Sequence, residues 1–253
     1  MQNPLLSIVI VTYQDQTGIR RTLQSLVELM RAASDHAEVI VVDGGSDEIL
    51  RDEVAGSPYP VVLISEPDSG VYDGMNKGLD RSRGSHVWFL NGGDECAEIR
   101  WDELSNRVAE HRGKIILADY LLDTNRLRIK RAARDPSYIW HGLPTSHQAI
   151  LYPGQEARSA RYDLSYRIVG DYEMTARMMK SGVLSVIWHR PLAVFFTGGL
   201  SHANARNVAR EALQVQRKVL RSGVARVYLS QIRHAVSRNV RAVLSRSESR
   251  AEK

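Results

Sequence analysis

Three short apolar runs each end in oxygen-bearing side chains: Asp43 after the second run, Glu66 and Asp68 after the third, and Asn91 and Asp94 after the fourth. A cleft so lined suits a nucleotide, whose ribose hydroxyls need acceptors and whose diphosphate travels with a hard divalent cation. A further acid, Asp171, heads a helical stretch, where residue type alone favours an N-cap. Other nucleotide chemistries fail on spacing. The segment after the first run reads Thr12-Tyr13-Gln14-Asp15-Gln16-Thr17-Gly18, which is no Gly-x-Gly-x-x-Gly turn, and no Gly-Lys-Ser/Thr phosphate loop occurs. The single Cys96 supplies neither an internal disulfide nor a cysteine-rich zinc site, which fits a reducing cytoplasm.

The elements that must position these groups are legible as a pattern. Ser7–Val11, Val39–Val42, Val61–Ile64 and Val87–Leu90 are β-branched apolar runs of the kind buried on both faces of a parallel sheet. Ile19, Leu23, Leu26, Val27 and Met30 fall at helical spacing between the first two, and Met75–Ser82 predicts a shorter helix between the third and fourth. The alternation predicts an α/β, doubly wound, mostly parallel sheet with its ligand site off the carboxyl ends of the strands. Further on come Ile115–Leu117, a helix over about 172–181 ended by Gly182, Leu184–Trp188, and Leu192–Phe196 behind it. The chain has 253 residues, enough for a sizeable core, and its N-terminus reads as a strand rather than a signal peptide.

Seven segments, in order, resemble family 2 glycosyltransferases with the GT-A fold. They are Leu6–Tyr13, Val41–Asp47, Ser65–Leu79, Phe89–Asp94 and Ser146–Ala149, then Gly170–Glu173 with Phe196–Ser201. Ser65–Leu79, Phe89–Asp94 and the three later segments look like the branch that builds bacterial exopolysaccharides such as colanic acid. The resemblance covers 5 to about 202, so a GT-A domain is expected over 1–203 and a basic amphipathic helical tail over 204–253.

It implies an inverting, metal-dependent transferase that moves a sugar from a nucleotide-diphosphate donor to a hydroxyl of a lipid-linked saccharide. Thr12 and Asp43 would hold the nucleoside; Asp43 alone could equally shape the Gly44-Gly45-Ser46 turn. Asp68 and Asn91 are further donor contacts. Lys77 meets donor phosphate or is simply solvated. Asp94 occupies the metal loop, where Asn91 and Gly93 stand in place of the usual aspartates, so Mn²⁺ or Mg²⁺ would have one protein carboxylate, with His202 as a second candidate ligand. Asp94 could also cap a helix starting near Glu95. Asp171 resembles the catalytic base, with Gly170 in place of the usual Glu or Ala. His147 and Gln148 are acceptor-side candidates, although a lone histidine is commonly a polar core residue.

Charge is unevenly distributed. Residues 200–253 hold twelve Lys/Arg against three Asp/Glu, while the rest holds 22 against 26. Val208, Ala212, Val215 and Val219 form one apolar stripe. Val224, Tyr228, Ile232, Val236, Val240 and Val243 form a second, opposite Arg226, Arg233, Arg238 and Arg241. This predicts a peripheral helix on the anionic inner face of the cytoplasmic membrane, or else a stripe packed on the body or on a second subunit. A donor-binding but inactive regulatory module is one alternative. A nucleic-acid binder using the basic tail is another, disfavoured because the tail is nearly free of aromatics for stacking.

Overall fold

A computed structural model describes residues 3–46, 48–124, 127–196, 205–230 and 232–233. One mixed sheet runs through the molecule in the order β3-β2-β1-β4-β8-β6-β9-β5, with β7 on the edge of β6. Its first half is parallel: β1 (Leu6–Thr12), β2 (Ala37–Asp43), β3 (Val61–Ser65) and β4 (His86–Asn91). The second half mixes directions through β5 (Glu95–Cys96), β6 (Ile115–Asp123), β7 (Arg128–Arg131), β8 (Ile150–Pro153) and β9 (Ser185–Phe196).

The parallel half is apolar on both faces. Ile8 and Ile10 of β1 join Leu26, Trp88 and Leu90 on one side, while Val9 and Val11 join Ile40, Phe89 and Tyr152 on the other. Burial on two sides explains runs without polar alternation. Register then sets the site, because Thr12 pairs with Asp43, Asp43 with Ser65, and Val11 with Asn91. The polar strand ends therefore share one carboxyl edge.

Helices α1 (Gln16–Ser25), α2 (Val27–Ala33), α3 (Glu48–Ala55), α4 (Val71–Arg81), α5 (Trp101–Glu110), α6 (Gly154–Ala160) and α7 (Gly170–Lys180) cover the sheet. The helical run expected from Ile19 to Met30 divides at Leu26. The Ser25 hydroxyl donates to the Thr22 carbonyl and accepts the Cys96 N–H at 2.9 Å, tying the last turn of α1 to β5. No helix starts at Glu95; that segment is β5, paired with β9. Asp94 is thus not a helix cap. Leu184–Trp188 and Leu192–Phe196, expected as separate runs, lie in or at the start of one strand, β9, whose register with β6 shifts beside Pro191. A bulge is where a strand tolerates proline. Gly182, with φ of +100°, follows the end of α7.

The C-terminal segment splits in two. Helix α8 (Ala205–Gln214) places Ala212 in one core cluster with Val215, Tyr166, Val169, Tyr172 and Ala176. The first stripe therefore packs on the body, one of the three arrangements open from the sequence. Helix α9 (224–230) buries Val227 and Ser230 but leaves Val224, Tyr228 and Leu229 exposed, as is Ile232 beyond it. Val236, Arg238, Val240, Arg241 and Val243 lie outside the described residues.

Helix α4 approaches β1 closely because Gly78 lacks a side chain; a Cβ there would fall 2.3 Å from Val9 Cγ1. Gly78→Ala should cost about 1–3 kcal/mol, as overpacking does, and lower the urea midpoint. Gly142→Ala, where the nearest atom would be 3.9 Å away, should leave it nearly unchanged.

Candidate active site

At the carboxyl edge, Asp43 is fully buried and committed to its own turn. It accepts the Ser46 N–H at 2.9 Å, the Ser46 hydroxyl, and the Ser65 hydroxyl at 2.8 Å. The turn-shaping role is therefore present in the structure. Thr12, directly opposite, keeps a buried Oγ1 without a partner, and so does Oδ1 of Asn91. Orphaned buried acceptors and donors at a ligand edge are groups that a ligand or water completes.

Asp68 accepts the Gly70 N–H at 2.9 Å and leans over two glycines. A Cβ on Gly44 would meet its Oδ2 at 2.9 Å, and one on Gly74 at 3.2 Å. Asp68 is thereby seated between the Asp43 turn and α4. Lys77 is not free: Nζ donates to the Pro67 carbonyl at 2.7 Å and pairs with Glu66 at 2.9 Å. Its charge is already matched on the outer side of this loop.

Asp94 sits in a turn closed by its own N–H to the Asn91 carbonyl, with Gly93 at φ +101°. Thr22 braces the turn, accepting the Gly93 N–H at 3.0 Å and donating to the Asp94 carbonyl at 2.7 Å. The carboxylate receives Gln148 Nε2 at 2.8 Å and a long contact from the Phe196 N–H at 3.5 Å. Burial outweighs these bonds and pushes its pKa up to about 6. Gln148, expected on the acceptor side, is thus a direct partner of the metal candidate.

Among the described residues, no group of three or more His, Cys, Asp or Glu side chains converges. Asp94 and the orphaned Asn91 Oδ1 are nevertheless hard oxygens, and a Mg²⁺ or Mn²⁺ ion keeps waters and phosphate oxygens while taking one or two protein ligands. The donor set fits a cation shared with a diphosphate. His202 lies outside the described residues.

His147 is a buried, neutral ring. It stacks on Phe89 with centroids 5.7 Å apart, neither nitrogen has a partner, and desolvation lowers its pKa to about 4. The core-histidine reading is the observed one. From it a chain of rings leads to Asp171: His147 meets Tyr162 edge-on, Tyr162 stacks on Tyr72 at 5.2 Å, and Tyr72 Oη lies 3.4 Å from Asp171 Oδ1.

Asp171 is not the N-cap of α7. Val169 holds that position without a side-chain cap, and Asp171 lies within the first turn, accepting the Tyr172 N–H at 2.8 Å. A helix N-terminus by itself would lower the pKa. Burial dominates and raises it to about 6, with the Glu211 charge adding to the rise. Gly170 has a steric reason as well: a Cβ there would come within 2.8 Å of the Tyr72 ring. Tyr72, Tyr162 and Glu211 were not singled out from the sequence. Tyr72 stood inside the Ser65–Leu79 segment, and Glu211 was the lone acid inside the first apolar stripe.

Residues 7–168 match the family model described as Glycosyl transferase family 2, a match ending just before Asp171. The chain is 28% identical over 216 residues to the PGL/p-HBAD biosynthesis glycosyltransferase of Mycobacterium tuberculosis (strain ATCC 25177 / H37Ra), covering 80% of this chain and 81% of that one. Among solved structures it resembles the mannosyltransferase PcManGT from Pyrobaculum calidifontis in complex with GDP-Man and Mn²⁺. There the TM-score is 0.66 at 15% identity, over 100% of this chain and 82% of that chain. It also resembles S. aureus TarS 1-349 in complex with UDP, at TM-score 0.62 and 14% identity over 85% and 70%. These likenesses establish the GT-A fold.

An acid whose folded pKa is raised binds more protons folded than unfolded, so its ionisation costs stability as pH rises from the ordinary value of 3.8 through about 6. Asp171→Asn removes that cost while keeping an oxygen for Tyr72 and Tyr172. Urea midpoints should therefore be higher for the variant than for wild type at pH 8 and converge by about pH 3, below the unfolded value of about 3.9.

Proposed function

We propose, from the premise that this chain belongs to glycosyl transferase family 2, that it transfers a sugar from a nucleoside-diphosphate donor to a saccharide hydroxyl with inversion, using Asp171 as general base. The observation that carries this reading is the half-buried Asp171 carboxylate, desolvated to a pKa of about 6 at the head of α7 and joined by ring contacts to the strand-end edge. A base with that pKa is largely deprotonated at neutral pH yet more basic than an ordinary carboxylate. The acceptor oxygen attacks the anomeric carbon as Asp171 Oδ takes its proton. The bond to the diphosphate oxygen breaks on the opposite face, and its electrons leave with the nucleoside diphosphate.

Thr12 and Asn91, with their unpartnered oxygens, are the proposed donor contacts, beside Asp68; Asp43 supports them by fixing its turn. Lys77 bears on the donor only through the Glu66–Pro67 loop that it holds. When bound, Mn²⁺ or Mg²⁺ would neutralise charge on the leaving diphosphate, with Asp94 and Asn91 as its described ligands. The Mn²⁺ and GDP-Man in the PcManGT structure, and the UDP in that of TarS, support this choice of cofactor and donor class. Gln148 orients Asp94, and His147 shapes the apolar floor between the two halves of the site.

The proposed acceptor is a lipid-linked saccharide of a bacterial surface or exopolysaccharide, met at the inner membrane face. Among the described residues no helix is long and apolar enough to cross a membrane. Val224 is 84% exposed, Tyr228 67% and Ile232 44%, with Arg226 and Arg233 also exposed nearby. Such a stripe suits insertion at a headgroup boundary, where each arginine adds about 1 kcal/mol.

Asp171→Asn should cut sugar transfer by roughly 10² or more, as loss of a general base does, with donor affinity by calorimetry within a few-fold of wild type. Normal transfer by this variant would move the base elsewhere. In a separate assay, the full chain should pellet with phosphatidylglycerol vesicles at low salt, and the Tyr228→Ser/Ile232→Ser variant should stay in the supernatant. Truncation before α8 is a poor substitute, because α8 belongs to the packed core.

A further inference from the structure

Glu211 of α8 is 5% exposed, and the ion pairs found among the described residues do not include it. Its carboxylate instead accepts backbone N–H groups from three consecutive residues: Arg167 at 3.2 Å, Ile168 at 3.0 Å and Val169 at 3.1 Å. A buried anion without a cation is costly unless such dipoles converge on it. These three residues are the approach to α7, and Val169 is its N-cap residue, without a side-chain cap. From the other side, the Tyr72 hydroxyl donates to the Ile168 carbonyl at 2.7 Å. The segment is gripped on both edges, N–H groups by Glu211 and carbonyl by Tyr72, two residues before Asp171.

We propose that Glu211 is a positioning residue for the reaction: through the backbone of 167–169 it sets where Asp171 stands, so that the C-terminal helix is part of the catalytic apparatus. This rests on Asp171 being the base. Glu211 lies 40 residues beyond Asp171 in the chain, and the contact also supplies a negative charge to the base's surroundings. Among the described residues, the ionisable groups acting on Asp171 are Tyr72 from α4, Tyr152 from β8, Tyr162 from the loop before α7, and Glu211 from α8. Replacing Glu211 by a neutral residue removes the sole carboxylate among them.

The test uses the full chain, with UDP-GlcNAc and GDP-mannose as donor probes and amide hydrogen exchange alongside. Glu211→Gln keeps the size and one acceptor oxygen. It should lower kcat by about tenfold or more with donor KM within about threefold, move the acid limb of kcat to lower pH, and speed exchange at 167–169. Tyr72→Phe, which frees the Ile168 carbonyl, should also lower kcat selectively. Protection at 167–169 unchanged in Glu211→Gln would overturn the proposal. So would lost protection with kcat and the acid limb of wild type. Asp171→Asn run in parallel separates the two levels: wild-type turnover there sinks the base assignment itself, whereas an inactive Asp171→Asn beside a fully active Glu211→Gln sinks only the positioning role.

Discussion

The carboxylate of Asp171 is surrounded by tyrosine rings and has few polar partners, chiefly the Tyr172 N–H and a distant Tyr72 hydroxyl, and that scarcity lifts its pKa to about 6. Left at an ordinary helix N-terminus in water, the same group would be held down by the helix dipole. Residues from both halves of the fold serve this desolvation. Gly170 yields its side-chain space to Tyr72, Tyr72 stacks on Tyr162, and Tyr162 packs against Phe89 of the central strand β4. Stacked and edge-on rings contribute about 0.5–1.5 kcal/mol per pair beyond their burial, so the pocket stabilises itself while shielding part of its carboxylate from water.

The two halves of the sheet divide the labour. Parallel strands β1 to β4 bring Thr12, Asp43, Ser65 and Asn91 to one edge by register alone. The mixed half carries Gln148 next to β8, and Gln148 crosses back to Asp94. Asp94 and Asp171 thus lie at opposite ends of one run of contacts through Gln148, His147, Tyr162 and Tyr72. The arrangement fits a donor held at the strand ends and an acceptor approaching from α7.

The parallel half was legible because each of its strands is apolar on both faces and ends in a polar residue, a pattern that survives in the one-dimensional sequence. Asp94 and Asp171 were singled out by their place among the segments that resemble the family. Their local roles were not: both were open to reading as helix caps, and both are something else, because β5 pairing replaces a helix after Asp94 and α7 starts at Gly170, with Val169 in the N-cap position. Lys77 read as solvated or phosphate-binding, and its pairing with Glu66 depends on how the Glu66–Pro67 turn folds back on α4. Glu211 was the least visible, since its partners are 42 to 44 residues away and are backbone groups, which carry no residue-type signal. The C-terminal stripes read as amphipathic from the sequence, but periodicity does not say what covers a stripe, and the first is covered by the body itself.

The claim on which the account turns is that folding raises the Asp171 carboxyl and leaves it ionised at neutral pH. Carbon-13 NMR of the aspartate carboxyl carbons, assigned by comparison with Asp171→Asn and followed from pH 3 to pH 8, measures this directly. The account predicts a midpoint near 6 for the Asp171 signal. A midpoint near the unperturbed value of about 3.9 would mean that water reaches the group freely, and would contradict it.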